Sequence, residues 1–220
     1  MIKSLSSRFG KFARSRQTPG AIFLAAAQLA CLLLLTGCLS RPALKTETFS
    51  FGIPAMTGTN AVAAPVLGIK SITIAPPFAG RSLVYRTGEF TYERDPYAEF
   101  LDFPEKELLA PIQARLGSQG DFRSVVLAGS ALEPDLLVEI NVSQLLGDLR
   151  EASNARAILR AQFMFYQATN GIASGMIFQK EYSQDLPLKK PTAAALMAGW
   201  NQALNEMTGK VLEDYRLRKN

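Results

Sequence analysis

The sequence predicts an α+β fold in which two helices pack on one face of a mostly antiparallel sheet. Three observations lead to this fold class. The predicted elements follow the order strands, helix, strands, helix; Asn170-Gly171 separates two alternating segments; and residues 192–216 carry one continuous apolar stripe. Because such a stripe must be buried against another apolar surface, a helical layer on a sheet is the favoured architecture.

The first half of the domain is predicted to form short strands separated by breakers. Residues 67–75 are rich in β-branched side chains, and Pro76-Pro77 ends that run because proline cannot donate to a sheet ladder. Residues 55–66 are small and uncharged with several breakers, which predicts a loop. The predicted strands are residues 48–54, 67–75, 82–86 and 89–93.

A helix and then a three-stranded meander follow. Pro104, Glu105 and Glu107 are typical of a first helical turn, where proline needs no donor and acids interact favourably with the dipole. Asn170-Gly171 tolerates the positive φ angles of a tight hairpin turn. The apolar stripe of the helix is Leu108, Leu109, Ile112 and Leu116. The strands predicted after it are residues 122–128, 136–142, 157–168 and 175–182, of which the last three form the meander.

The last predicted element is a helix over residues 192–216. Thr192 follows Pro191 and is a suitable N-cap. Trp200, the only tryptophan of the chain, lies on the apolar stripe and is predicted to anchor the core; stacking on a ligand is the alternative. The stripe consists of Leu196, Trp200, Leu204, Met207, Val211 and Tyr215.

The N-terminus has the layout of an export signal. Five basic residues and no acidic ones precede an apolar run over residues 21–35. The run closes with Leu35, Thr36, Gly37 and Cys38, which resemble the lipobox of bacterial lipoprotein signal peptides. The first three would be recognised by the signal peptidase. An ordinary secretory signal or a single transmembrane helix would need no cysteine at this place.

These features predict a three-part organisation. Residues 1–37 are expected to be a lipoprotein signal peptide that is removed. Residues 38–48 would be a lipid-anchored tether, with a covalent diacylglycerol and an N-acyl chain on Cys38. Residues 49–220 would form the folded domain, anchored to the membrane through that lipid.

Charge and residue types exclude several classes of function. Residues 1–37 hold five of the 24 basic residues and none of the 19 acidic ones, so residues 38–220 carry 19 of each. A neutral mature chain does not predict a nucleic-acid partner. Histidine is absent, Cys31 would leave with the signal and Cys38 would carry lipid. A serine–histidine triad, a thiol nucleophile and an imidazole or thiolate zinc site are therefore excluded, and we expect no enzyme, no metal and no further cofactor.

An acidic cluster beside Pro96 is the main candidate for chemistry. It could be a carboxylate acid/base pair or a divalent-ion loop, but its spacing matches no known ion loop. We interpret it as a solvated loop or partner-docking surface, with ion pairs to nearby arginines. Contact of these arginines with lipid head groups is the alternative. The acids are Glu93, Asp95, Glu99 and Asp102, and the arginines are Arg81, Arg86 and Arg94.

Aromatic side chains of the meander have two interpretations. Phe163, Phe165 and Phe178 could line a lipid groove, but phenylalanines on a helix-covered sheet face are usually core, and we predict core. Met164 and Tyr166 alternate with them and would face outward as a weak contact surface.

Several segments together resemble a known family, the ABC-type transport auxiliary lipoproteins, which includes the paraquat-inducible protein C lipoproteins. The resemblance runs from about residue 49 to residue 215, with the meander and terminal helix in the family's order. The segments that carry it are Phe49-Ser50-Phe51-Gly52-Ile53-Pro54, Ile72-Thr73-Ile74-Ala75-Pro76, Leu83-Val84-Tyr85-Arg86 and Tyr97-Ala98-Glu99-Phe100-Leu101-Asp102-Phe103-Pro104.

The resemblance implies a non-enzymatic component of a lipid transport system. Its partners would be a substrate-binding protein with a mammalian-cell-entry (MCE) domain, an ABC permease and an ATPase, which together move phospholipid or another hydrophobic molecule between the two membranes. The lipoprotein would act at the outer membrane, facing the periplasm, and a homo-oligomer is a further expectation. Leu39 after the cysteine agrees with that destination, since inner-membrane retention resembles an aspartate there. Arg86, Tyr97 and Phe100 are the candidate contacts with a partner or with lipid.

Two other classes of function share some of these features. An outer-membrane assembly or secretion lipoprotein, such as a pilotin-like scaffold, would have the same anchor without the family resemblance. A carboxylate-only glycosidase would need two convergent acids in a cleft, and no pair at a recognisable spacing is present.

Overall fold

A computed structural model of the protein describes residues 45–55 and 63–219, so the predicted signal peptide, Cys38 and most of the tether lie outside the described residues. The described strands are β1 (Glu47–Phe49), β2 (Val66–Ile74), β3 (Ser82–Arg86), β4 (Tyr92–Phe100), β5 (Ser124–Leu127), β6 (Leu136–Asp148), β7 (Arg156–Thr169) and β8 (Ile172–Pro187). The helices are α1 (Pro104–Gly117) and α2 (Ala193–Lys219), with short 3₁₀ turns at Pro76–Phe78 and Ala152–Asn154.

The predicted meander is confirmed as β6, β7 and β8, which pair antiparallel along most of their length. Asn170 and Gly171 connect β7 to β8 with φ angles of 52° and 71°. Both angles are positive, as a two-residue hairpin turn that follows the strand twist requires. These long strands make the sheet mostly antiparallel, as predicted.

Strand β6 organises the rest of the sheet, because its second edge is shared by two strands in succession. Its first half pairs with β2 and its last two residues pair with β3, both in parallel. The register shifts between Val142 and Gln144, close to the point where the partner changes. The last hydrogen bond from the β2 side is the one that the Ala75 amide donates to the Val142 carbonyl at 2.9 Å. Pro76 and Pro77 follow and end β2, since proline has no amide to donate. Parallel pairings also attach β5 to β2 and β1 to β4, giving an eight-stranded mixed sheet.

Two predicted strand boundaries are wrong in the first half of the domain. The alternation over residues 48–54 yields only the short strand β1, and residues 50–55 continue without regular structure. The strand predicted at 89–93 begins at Tyr92 and continues to Phe100. It extends so far because β1 and β3 hydrogen-bond to its two edges, a non-local pairing that alternation within one segment does not reveal.

Both predicted helices are present and pack on one face of the sheet. α1 contacts β2 and β5, α2 contacts β7 and β8, and the two helices contact each other. Thr192 caps α2, since its Oγ1 accepts from the Ala195 amide at 3.2 Å. The predicted stripe of α2 is buried, and Phe163, Phe165 and Phe178 lie beneath it in the same core, as predicted.

The other face of the meander carries polar side chains. Lys70 forms an ion pair with Glu139 at 2.6 Å, and Tyr166 donates to the same carboxylate at 3.3 Å. Tyr166 and Met164 are half-buried on this face, opposite the core phenylalanines, which agrees with their predicted outward direction.

Candidate functional site

The candidate contact residues lie on the paired strands β3 and β4, and they are divided between surface and core. Tyr97 is exposed, whereas Phe100 retains only 2% of its accessible surface. Arg86 lies across from Tyr92 at the β3–β4 pairing and is half-buried. Tyr97 and Arg86 can therefore meet a partner, but Phe100 cannot: its expected role as a contact is corrected to a core role.

Phe100 is the middle ring of an aromatic stack that joins three parts of the chain. Its ring lies 5.9 Å from that of Phe51 and 5.7 Å from that of Trp200, measured between centroids, and both pairs are close to parallel. The Trp200 indole donates from Nε1 to the Ile158 carbonyl at 3.0 Å. Stacked pairs stabilise beyond the area they bury, so the stack joins the segment after β1 to the core beneath α2. The prediction that Trp200 anchors the core is confirmed, since it is fully buried.

Gly52, next to the stack, is held by side chains from both helices. Its amide donates to Asn201 Oδ1 on α2 at 2.8 Å, and its carbonyl accepts from Arg115 Nη1 on α1 at 3.2 Å. A backbone held by side chains has no need of a strand partner, which accounts for the early end of β1. The family-like segment that contains Gly52 is thus held by one side chain from each helix.

Arg115 was not identified as functional from the sequence. Arg115 retains only 8% of its accessible surface, and its Nη1 also donates to the Pro111 carbonyl at 3.2 Å. Burial lowers the pKa of its guanidinium. Its Nε is buried without a hydrogen-bond partner among the described residues. An arginine in the last turn of a helix is usually a solvated dipole partner, so no local signal points to this role.

The acidic cluster does not form a convergent carboxylate site. Asp95 Oδ1 accepts from the amides of Tyr97 and Ala98 at 2.8 and 3.0 Å, at an irregularity in the β3–β4 pairing. Its second oxygen accepts from the Tyr85 hydroxyl at 3.1 Å, and burial together with that carboxylate raises the pKa of Tyr85. Asp95 therefore shapes the strand, and the expectation that this stretch is a loop is wrong for Asp95 and Glu99, which lie in β4.

The remaining acids of the cluster also have structural partners. Glu99 forms an ion pair with Arg81 at 2.7 Å. Asp102 accepts from the Phe103 amide at 2.7 Å and from Lys106 Nζ at 3.3 Å, and these donors lower its pKa. Glu93 accepts from the Thr87 hydroxyl at 3.1 Å. Within residues 45–55 and 63–219, no three acidic, histidine or cysteine side chains are grouped to hold a metal ion.

Of the three arginines expected to form ion pairs, only Arg81 does so in the part of the chain described. Arg86 donates to the carbonyls of Gly88 and Glu89 at 3.2 and 2.6 Å and holds the β3–β4 turn. Arg94 reaches the Pro77 carbonyl at 3.5 Å and lines a shallow hollow of about 360 Å³ with Phe78, Val84 and Tyr92. The lining of the hollow is mostly apolar, and Arg94, Ser143 and Gln144 are its polar members.

The predicted lipidation site, Cys38 with Leu35, Thr36 and Gly37, lies outside the described residues. In the described part of the chain, no helix has both the length and the apolar character needed to cross a membrane.

Two solved structures share the fold of this domain. A crystal structure of a Xanthomonas campestris protein of family DUF330 superposes with a TM-score of 0.62 at 14% identity, over 76% of this chain and 92% of that one. An uncharacterized protein gives a TM-score of 0.61 at 13% identity, over 78% of this chain and 99% of that one. At such identities the likeness shows the fold, a two-helix layer on a mixed sheet. No curated protein is similar enough in sequence to match.

The family follows from the sequence. The model of the ABC-type transport auxiliary lipoprotein component matches residues 48–211, which is most of the chain, and the protein belongs to this family. The resemblance of its motifs to that family is thereby confirmed, and the chain is a lipoprotein component associated with ABC transport.

Proposed function

We propose that this chain is the lipid-anchored auxiliary component of an MCE-type ABC transport system. The system would move phospholipid or another hydrophobic molecule between the inner and outer membranes. The family match over residues 48–211 carries the proposal, because it associates the chain with ABC transport. The lipobox-like Leu35-Thr36-Gly37-Cys38 supports the membrane anchor independently of that match.

The proposed role is non-enzymatic. Asp95, Glu99 and Asp102 were the strongest candidates for acid/base chemistry, and each is engaged by amides or by a cation in a structural contact. A carboxylate-only hydrolase needs two acids converging on one cleft, one of them with a raised pKa. The pKa of Asp102 is lowered instead, by the Phe103 amide first and by Lys106. We therefore propose neither a catalytic residue nor a cofactor, apart from the acyl chains on Cys38.

The proposed location is the periplasmic face of the outer membrane. Leu39, the residue after the proposed lipidated cysteine, supports sorting to the outer membrane because it is not the aspartate associated with inner-membrane retention. The proposed partners are an MCE-domain protein with its permease and ATPase, and further copies of this chain. Arg86 and Tyr97 are the proposed contact residues, since both reach the surface near β4.

The test is a mild-detergent pulldown of the tagged, full-length lipoprotein from its own envelope, analysed by mass spectrometry. We expect an MCE-domain protein to be recovered with its permease and ATPase. A variant with Arg86→Gln and Tyr97→Ser should lose these partners. The matched control Ile172→Ser changes an exposed apolar residue on β8 and should retain them. Recovery of a secretin or an outer-membrane assembly machine instead would overturn the transport assignment and favour a scaffold lipoprotein.

A further inference from the structure

Three exposed apolar side chains lie in segments that contact each other near the end of β1. Ile53, Leu101 and Phe103 expose 64%, 61% and 47% of their surface, and we call them the anchor-side patch. Single exposed apolar residues are common, but three that share one site need an explanation.

Contacts between their neighbours hold the three residues near each other. The Leu101 amide donates to the Phe49 carbonyl at 2.8 Å, at the end of β1. Ile53 lines one shallow hollow with Asp102 and Lys106, the residues beside Leu101 and in the first turn of α1. Lys106 Nζ lies 5.9 Å from the centroid of the Phe103 ring.

The Glu107 carboxylate links the residues around the anchor-side patch to the segment after β1. Glu107 Oε2 accepts from the Ser50 hydroxyl at 2.5 Å, and its Oε1 accepts from the Asp102 amide at 3.0 Å. Glu107 therefore connects the residue after β1 to the residue between Leu101 and Phe103. The patch has a defined position relative to the strand through which the tether arrives.

The length of the tether limits how far the patch can lie from the membrane. Cys38 precedes Glu47 by nine residues, and an extended chain advances at most about 3.6 Å per residue, so β1 begins no more than about 32 Å from the lipidated cysteine. The domain would then be held close to the leaflet that contains its acyl chains. We propose that the anchor-side patch contacts that lipid leaflet, with Ile53, Leu101 and Phe103 in its interfacial region. This inference rests on the lipid anchor of the proposed function.

The consequence of such contact is orientation of the domain. The acyl chains on Cys38 provide the attachment, since more than one chain is sufficient for stable anchoring. The patch would select one rotation of the domain about its tether. Asp102 and Lys106 at its rim would stay hydrated among the headgroups, as charged side chains do at an interface. Arg86 and Tyr97 would then face periplasmic partners in a fixed orientation.

The test uses the absence of other free thiols. The mature chain has only Cys38, whose sulfur is acylated, so an introduced cysteine can be labelled alone. The full-length lipidated variant Phe103→Cys is labelled with the environment-sensitive fluorophore NBD and reconstituted in phosphatidylethanolamine–phosphatidylglycerol vesicles. We expect a blue-shifted emission that doxyl-labelled lipids quench. Leu101→Cys, labelled in the same way, should give the same result. It replaces Phe103→Cys in the experiment if that variant does not fold.

The matched control is Ile172→Cys, which is 71% exposed at the start of β8, at the sheet edge formed far from β1. Its label should remain solvent-like and unquenched. Acylated protein whose label at Phe103 behaves like the one at Ile172 would overturn this inference while leaving the proposed function intact. A blue shift that grows with protein concentration and resists lipid quenching would also overturn it, in favour of a second copy on the patch. If intact mass shows no acylation of Cys38, the anchor fails and this inference fails with it.

Discussion

Arg115 donates to the carbonyl oxygen of Gly52 at 3.2 Å, and none of the ion pairs formed by described residues involves this buried guanidinium. The pairing is unusual because a buried cation normally meets a carboxylate. Together with Asn201 on the other helix, it fixes both backbone groups of one glycine. The segment that follows β1 is thereby fastened to both helices.

The clamp on Gly52 can be tested through Asn201. Asn201→Ala removes the acceptor of the Gly52 amide, and we expect a loss of about 1 kcal/mol in the free energy of unfolding. Hydrogen exchange should show the Gly52 amide opening faster. Gln202→Ala is the matched control, because Gln202 is exposed on the same helix and its side chain donates to Glu206 on the helix surface. Equal exchange at Gly52 in both variants would contradict the clamp.

Because Trp200 belongs to the aromatic stack, we expect its truncation to lower the free energy of unfolding strongly. Trp200→Ala should destabilise the domain by about 3–5 kcal/mol, because it leaves a cavity beside Phe100 and removes a fully buried ring. Trp200→Phe keeps a ring in the stack and should cost less, although it loses the bond to the Ile158 carbonyl. Urea denaturation measures both. Tyr97→Ala, at an exposed site, should change stability by no more than about 0.5 kcal/mol.

Local signals in the sequence predicted the elements of the later half of the fold, although β6 and β8 extend beyond the predicted ranges 136–142 and 175–182. The stripe that contains Trp200 and the Asn170-Gly171 turn each depend on residues close in the chain, and both are confirmed. The parallel pairing of β2 with β6 depends on residues about 70 positions apart, which no local periodicity encodes. The same reason explains the error at Asp95 and Glu99: charged residues beside a proline predict a loop, but strands on both sides pair with this segment.

The candidate site was only partly predictable from the sequence. Processing and acylation at Leu35-Thr36-Gly37-Cys38 stay a prediction, since these residues lie outside the described part of the chain. Phe100 was misassigned because an aromatic residue in a family-like motif can serve packing or contact, and only burial distinguishes the two. Arg115 gave no signal, since its role depends on the distant Gly52 carbonyl.

Asp214 should make stability sensitive to acid. It accepts from Lys180 Nζ at 2.6 Å, from the Tyr182 hydroxyl at 2.8 Å and from Arg218 at 3.0 Å. The Lys180 bond first, and then the other two donors, lower the pKa of Asp214 to about 2. Its folded pKa lies below its unfolded value of about 3.8, so the unfolded state binds the proton more readily. The stability contributed by this carboxylate is present above pH 4 and is lost as the pH falls toward 2.

The measurement is the urea midpoint at pH 7, 4 and 2.5. Asp214→Asn should be less stable than wild type at pH 7, and the difference should shrink as the pH falls. Glu213→Gln alters the neighbouring exposed acid and should leave the pH dependence of wild type unchanged. A constant difference between Asp214→Asn and wild type at every pH would contradict the assignment.

The β7–β8 turn provides a test of backbone conformation without packing. Gly171 has a φ of +71°, and a methyl group there would meet no atom within 4 Å. Gly171→Ala should therefore cost about 1 kcal/mol from the left-handed conformation alone. Gly175 on β8 has equally open space around it and no positive φ, so Gly175→Ala should be neutral or slightly stabilising. Thermal unfolding of the two variants isolates the cost of the positive φ, and equal effects would show that the turn geometry is not the cause.

Acylation of Cys38 is the premise of both proposals, and the chain contains its own control. Cys38→Ser should abolish the mass added by the acyl chains and remove the protein from the outer-membrane fraction, because no thiol is left to accept the diacylglycerol. Cys31→Ser lies within the predicted signal peptide, seven residues earlier, and should leave the mature protein identical to wild type. Intact mass and density fractionation distinguish the two variants. If Cys38→Ser kept the wild-type mass increment and location while Cys31→Ser lost them, the cleavage site would be misplaced, and the tether would be seven residues longer than the anchor-side patch requires.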